Sequence, residues 1–296
     1  MLFKLRQALL TGLVALLASA SWSSENPVAS AEKGLVISSG GEGGGYWSAA
    51  QRLQAVAKGL GSDVENRASA GSLDNIEQLT SAESPVNLAF AQADALQYFL
   101  FDNPGAGENF DVLENIGQEC VFIVTAADSD VRTDADLQKA ANYRLGIPSH
   151  TSGVAVTFNY MLRQVPELKA LEVVYGDTGA ALAQLQTPEA GVDAVMVVHR
   201  PREHSPAVDL ALRHPERYRF LEIRDGRLTN TTLNGQEVYR KMDLAMPGPE
   251  EVAPQTVSTI CVKGLLLANR HKLSEGQLNL LSDIVNIHWM RVFATE

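Results

Sequence analysis

Cysteine is scarce in this chain: Cys120 and Cys261 are the only two in 296 residues. Spacing leaves open whether they pair or stand as two separate buried thiols. No Cys/His cluster has zinc spacing, and the six histidines are scattered; His199, His204 and His214 surround a Pro- and charge-rich segment and read as surface loop residues. Basic residues are also in deficit, 24 against 35 acidic ones, for a net charge of −11. An acidic surface of this kind disfavours nucleic acid and anionic membrane as partners. It does not preclude an anionic ligand, because local dipoles set the potential of a buried site. No Gly-x-Ser-x-Gly is present, so a hydrolase elbow is missing. Paired-carboxylate patterns, internal repeats and low-complexity tracts are absent too. Past the N-terminus, no apolar run is long enough to span a bilayer.

What the N-terminus does hold is the pattern of a secretory leader. Lys4 and Arg6 precede the apolar run Ala8–Ala20, and Ala18-Ser19-Ala20 offers small residues for cleavage. Ala29-Ser30-Ala31 is a second possible cleavage site. Residues 1–20 are therefore expected to be a signal peptide and the mature protein to be exported, which in a Gram-negative cell means periplasmic. Removing Lys4 and Arg6 with a leader that has no acidic residue takes the net charge from −11 to −13. About 270 residues remain, enough for one large domain or two modest lobes.

The most informative stretch is Ser38–Ser48, Ser-Ser-Gly-Gly-Glu-Gly-Gly-Gly-Tyr-Trp-Ser. It follows the apolar run Leu35-Val36-Ile37 and precedes a helical pattern, so it reads as strand, glycine loop and helix start. Glycines let a backbone approach a ligand closely, and the first N–H groups of a helix suit a carboxylate. A dinucleotide fingerprint fits poorly, since Tyr46 stands where its third glycine would be. No lysine completes a phosphate-binding loop.

Further along, short apolar runs alternate with helical patterns. Strands are expected at Leu35–Ser38, Asp63–Ala68, Val86–Ala91, Cys120–Ala126, Tyr143–Ile147, Leu171–Tyr175, Val192–Val198, Tyr218–Ile223 and Thr256–Ala268. Helices are expected at Tyr46–Leu60, Ser72–Ala82, Ala93–Leu100, Thr133–Ala141, Ser152–Gln164, Gly179–Gln186, Pro206–His214 and within Ser274–Glu296. Gly226–Glu237 reads as loop, and Met246–Val252 has the composition of a linker. The βαβα rhythm implies a mostly parallel sheet covered on both faces. Two such series in tandem suggest two lobes, with a ligand cleft beyond the carboxyl ends of the strands.

Four blocks carry a resemblance to a known family. They are Ser39-Gly40-Gly41-Glu42-Gly43-Gly44-Gly45-Tyr46-Trp47, Ser69-Ala70-Gly71-Ser72-Leu73-Asp74-Asn75-Ile76, Leu88-Ala89-Phe90-Ala91-Gln92-Ala93-Asp94 and Gly146-Ile147-Pro148-Ser149-His150-Thr151-Ser152-Gly153. In that order, the chain resembles the TAXI-type solute receptors of TRAP (tripartite ATP-independent periplasmic) transporters. It departs from the family at Ser48, where a proline is usual, at His150 and Thr151, and at Val198-His199-Arg200-Pro201, where a small glycine-containing turn is usual. The resemblance implies an α/β, two-lobed type II periplasmic-binding-protein fold whose chain crosses between lobes twice, near Thr125–Asp128 and Glu250–Thr259. Lobe 1 would then comprise residues 34–125 and 256–296, and lobe 2 residues 126–255. It also implies that Cys120 and Cys261 lie on adjacent strands and form a disulfide.

Within that frame, Gly44, Gly45 and Tyr46 are expected to hold the ligand at the first helix start. Ser72 is a natural N-cap, and caps at clefts also bind anions; Asn75 orients that loop or reaches the ligand. Gln92 donates and accepts, which suits an amide or a zwitterion. Asp94 holds an ammonium group or caps the helix it starts. Thr151, Ser152 and Gly153 open a second-lobe helix and would close over a carboxylate. Arg200 clamps a carboxylate with two parallel bonds or stands as a solvated surface arginine, with Arg67 and Arg144 as candidates for the same role. The expectation is a monomeric, non-catalytic solute-binding protein with no cofactor and no metal. It would capture a small organic anion or amino acid, glutamate- or glutamine-like or a dicarboxylate, for TRAP-type membrane permease subunits. The alternatives are a periplasmic sensor that presents its closed form to a membrane receptor and, less favoured, a secreted hydrolase.

Overall fold

A computed structural model describes residues 34–185, 187, 191–201, 203, 205–230, 232–233, 236–247 and 254–294. The expected leader, His204 and the first part of the expected second crossing lie outside them. The first series runs β1 (Leu35–Ser38), α1 (Gly45–Gly59), β2 (Val64–Arg67), α2 (Ser72–Thr80), β3 (Leu88–Gln92) and α3 (Ala93–Asp102). A long strand, β4 (Asp111–Ala126), follows. The second series is α4 (Asp134–Leu137), β5 (Arg144–Ile147), α5 (Gly153–Gln164), β6 (Glu172–Tyr175), α6 (Thr178–Gln184), β7 (Ala194–His199), α7 (Pro206–Arg213) and β8 (Tyr218–Phe220). The chain then makes α8 (Gly226–Thr229), a small ribbon of β9 (Thr232–Leu233) and β10 (Gln236–Glu237), the hairpin strands β11 (Tyr239–Met246) and β12 (Gln255–Ala268), and the C-terminal α9 (Glu275–Ile287) and α10 (Trp289–Val292).

The strands lie in the order β2-β1-β3-β12-β4-β7-β5-β6, with β11 added on β12 and β8 on β4. Each series contributes parallel pairs, β2 and β3 on β1 and β6 and β7 on β5. The two long strands between them run antiparallel to their neighbours, so the sheet is mixed where the sequence pattern suggests a mostly parallel one. Both long strands change partners along their length. Residues 264–268 of β12 pair with β3, whereas residues 255–262 pair with β11. On β4, residues 120–125 pair with β7. The edge of β4 that faces β12 through residue 120 pairs with β8 at residues 124–126, so the change falls at residues 120–124 of β4 and 262–264 of β12.

Two register pairs lie beside the change. Gly117 and Gly264 are register partners, and Gly117 has φ 123°, a conformation that costs glycine little. Just beyond, Cys120 stands opposite Cys261 in register and the two are joined by a disulfide. The sequence pattern misses β11, because Arg240, Lys241 and Asp243 are exposed and break the alternation of this edge strand. It also begins β4 nine residues late, because the segment from Asp111 is only half-buried and carries polar residues on both faces.

Core packing holds the glycine loop in place. Ile37, Leu53, Phe90, Leu281 and Phe293 form one buried cluster under α1. Each such side chain contributes roughly 1.5–3 kcal/mol on burial. The C-terminal helices return to α1: Arg52 Nε donates to the Val292 carbonyl at 2.7 Å, and Phe293 meets Phe90 edge-on at 6.2 Å between ring centroids. At the other series, Thr133 and Ser152 cap α4 and α5 with their own hydroxyls, as helix starts of this composition favour. Among the described residues, no helix is long and apolar enough to cross a membrane.

Candidate functional site

The carboxyl ends of β1, β3 and β7 and the starts of α1, α2 and α5 converge on a cavity of about 260 Å³. Its rim and floor come from both series. The glycine loop after β1 turns through positive φ at Gly40 and Gly43, and Gly44 N–H donates to the Gly41 carbonyl at 3.1 Å. The helix that follows has no side-chain cap and no acidic residue in its first turn, so its N-terminal dipole is not offset from within the helix. Gly71 (φ 138°) likewise starts α2 without a side-chain cap, with Asp74 in the first turn.

Gly71 and Gly153 bring the two helix starts into contact. A Cβ on Gly71 would meet Gly153 N at 3.2 Å and the Thr151 carbonyl at 3.3 Å. A Cβ on Gly153 would meet Gln92 Oε1 at 2.6 Å, so a side chain there would displace the Gln92 amide. Gln92 is the hub of this contact. Its backbone N–H donates to Ser72 Oγ at 3.2 Å, its Oε1 lies 3.5 Å from the same hydroxyl, and its Nε2 donates to Glu119 Oε2 at 2.9 Å.

Beneath two of the lining side chains lies the Gly117–Gly264 pair. A Cβ on Gly264 would meet the Tyr46 hydroxyl at 3.2 Å, and one on Gly117 would meet the Arg200 guanidinium at 4.0 Å. Arg200 is only 6 % exposed. Its Nη1 donates to Glu203 Oε1 at 3.2 Å and to the Phe293 carbonyl at 3.4 Å. Its Nε and Nη2 are buried without a hydrogen-bond partner. A buried donor left without an acceptor costs about 1–3 kcal/mol, so these two atoms mark a place where an acceptor is called for. Burial pushes the Glu119 carboxyl up to about 7; Arg200, Tyr46 and Gln92 pull it back in part, and Asp94 adds to the rise. Burial, then the Glu119 carboxylate, hold the Tyr46 phenol well above its usual value.

Eight of the eleven expected ligand residues line this cavity: Gly44, Gly45, Tyr46, Ser72, Gln92, Ser152, Gly153 and Arg200. The other three lie elsewhere. Asn75 is fully buried and ties the frame together, accepting from Ser38 Oγ at 2.6 Å and donating to the Phe90 carbonyl at 2.7 Å. Asp94 is buried away from the cavity, accepting from Thr157 Oγ1 at 2.7 Å, Tyr239 Oη at 2.8 Å and Ala95 N at 2.7 Å. Burial raises its pKa and those three donors lower it again in part. Thr151 is exposed, its hydroxyl 3.3 Å from Ser149 Oγ. The alternative arginines are committed elsewhere: Arg67 pairs with Glu65 and Arg144 with Asp193.

Three lining residues escape the sequence reading. Glu119 lies one residue before the expected strand, in a polar run with no periodicity to aim it. His199 reads as a surface histidine, yet β7 extends to it and it lines the cavity, with Nδ1 2.9 Å from the Arg200 carbonyl. Glu203 lies in a segment with no element to place it. The one available signal was the departure from the family pattern at residues 198–201. Among the described residues, no group of His, Cys, Asp and Glu is arranged to hold a metal ion.

No family model matches this chain, and no curated protein matches it. Solved structures do. The binding-protein component of an ABC phosphonate transporter from Pseudomonas aeruginosa superposes with a TM-score of 0.50 at 12 % identity, covering 88 % of this chain and 78 % of that one. The periplasmic aliphatic sulphonate binding protein SsuA from Escherichia coli gives 0.49 at 18 % identity, covering 85 % and 70 %. An ABC-type phosphate transport receptor from Vibrio cholerae gives 0.49 at 10 % identity, covering 87 % and 96 %. At these identities the likeness concerns the fold alone, and that fold is the two-lobed type II periplasmic-binding-protein fold with a mixed sheet.

Proposed function

We propose that this chain is an extracytoplasmic solute-binding protein that captures a small organic anion or amino acid between two lobes. The observation that carries this reading is Arg200, almost wholly buried at the cavity with Nε and Nη2 unpartnered. An internal guanidinium with a free edge is suited to both oxygens of one carboxylate. The starts of α1, α2 and α5 add N–H groups and dipoles of the same sign. In this reading the lobes meet where β4 and β12 change partners, beside the Cys120–Cys261 bond, and a ligand held from both sides stabilises the closed arrangement over the open one. Capture needs no covalent step.

The TAXI-type resemblance of the four sequence blocks supports delivery to TRAP-type permease subunits. The leader pattern supports export to the periplasm. The experiment is a thermal-shift screen of protein starting at Ser21 against amino acids and organic acids. A ligand at a hundred times its Kd stabilises by about 2.7 kcal/mol, or about 5–10 °C in Tm for a chain of this size. A shift confined to carboxylate-bearing solutes, and lost in Arg200→Gln, is the expected result. A panel without any such shift rejects solute capture at this site.

A further inference from the structure

The charged side chains that line the cavity are few, among the described residues: Glu119, Arg200 and Glu203. Their arrangement limits what can enter. The guanidinium of Arg200 has two usable edges. One is taken, since Nη1 is shared by Glu203 Oε1 at 3.2 Å and the Phe293 carbonyl at 3.4 Å. The other, Nε with Nη2, has no partner and matches one carboxylate side-on. So Arg200 has room for a single ligand carboxylate.

The remaining attractive position, the start of α1, is also held by the protein itself. Glu203 is 16 % exposed, and a Cβ placed on Gly45 would meet its Oε2 at 2.8 Å. Its carboxylate therefore pairs with Arg200 and lies close against the uncapped start of α1, where glycine at position 45 leaves the space for it. Glu119, which also lines the cavity, is bound to Gln92 at 2.9 Å. A solute with two carboxylates would bring its second one against Glu119 or Glu203, and among the described residues no guanidinium besides Arg200 lines the cavity to receive it.

We propose that Glu119 and Glu203 are specificity-determining residues that act as a charge filter, so that the site accepts a ligand with one carboxylate, as a neutral zwitterion or a monoanion, and rejects dicarboxylates. Discrimination is built from a repulsive element placed beside the attractive one. The filter rests on the solute-binding reading above and narrows it.

The test is isothermal calorimetry at pH 8 with isosteric amide and acid pairs: L-glutamine with L-glutamate, L-asparagine with L-aspartate, and succinamate with succinate. In the wild type, the amide member of any pair that binds should be at least about tenfold tighter than the acid member, because like charges brought together at a desolvated site are strongly disfavoured. In Glu119→Gln and in Glu203→Gln, which keep size and hydrogen bonding, the ratio should fall by about tenfold through a gain for the acid. Circular dichroism checks that each variant folds, and either variant alone suffices. A purely structural Glu203, acting only on the dipole of α1, would lower Tm and leave the ratio unchanged; that result, or an acid that binds the wild type as tightly as its amide, overturns the filter. If no member of any pair binds the wild type, carboxylate capture itself fails and the filter falls with it.

Discussion

Gly117 and Gly264 stand directly opposite each other on the two long strands, and this pair lies beneath Tyr46 and Arg200, two side chains that line the cavity. Tyr46 packs over one and Arg200 over the other. A methyl group at 264 would press on the Tyr46 hydroxyl and on Ile116 Cγ1, both at 3.2 Å. Gly264→Ala is therefore expected to cost about 1–3 kcal/mol in denaturant unfolding, the usual cost of overpacking. It should also weaken ligand binding by tenfold or more through displacement of Tyr46. Unchanged stability and affinity would show that this packing is more yielding than the geometry says.

The Glu119 carboxyl, raised from its ordinary value of 4.5 to about 7, gives a pH dependence of known sign. Between those values the folded chain holds a proton that the unfolded chain releases. Folding stability contributed by this group is thus full below about 4.5 and falls as pH rises through 7. The loss amounts to no more than roughly 3 kcal/mol. Glu119→Gln should flatten the Tm-against-pH curve over this window. Asp94 shifts in the same direction, so a residual slope is expected in the variant. An equal slope in both proteins would place the titration elsewhere.

The Cys120–Cys261 bond closes a span of 141 residues across the partner change. In the chain-entropy picture a loop of this length is worth about 4–5 kcal/mol. Guanidinium unfolding of Cys120→Ala/Cys261→Ala protein should show a loss of that order. Adding reductant to the double variant should then change nothing further.

Asp94 is a structural acid. Replacing it by alanine leaves the buried hydroxyls of Tyr239 and Thr157 without their acceptor. A loss of about 2–4 kcal/mol is expected. The preference among ligands should stay as in the wild type, since Asp94 does not line the cavity. A changed preference would return Asp94 to the site.

Much of the site was legible along the chain because strand-loop-helix starts have a local signature. Gly44, Gly45, Tyr46, Ser72, Gln92, Ser152 and Gly153 all sit at such starts, and each was placed by the few residues around it. Glu119, His199 and Glu203 were not, because nothing within their own segments aims them. Glu119 faces the cavity only because Gly117 turns β4 and Gln92 receives its carboxylate. Asn75 and Asp94 show the converse. Their local setting matches a ligand residue, but long-range partners, Ser38 and Phe90 for one and Thr157 and Tyr239 for the other, claim their polar atoms.

The sequence by itself determined the alternation of strands and helices, the glycine turns that open the helix starts and the acidic balance of the whole chain, since periodicity, φ preference and charge are properties of neighbouring residues. Only the tertiary structure decided which strands adjoin, where the long strands change partners and which charges face the cavity. Those depend on contacts such as Arg52 with Val292 and Asp94 with Tyr239, between residues 240 and 145 positions apart. Contacts over that range come from packing, and no local pattern encodes them.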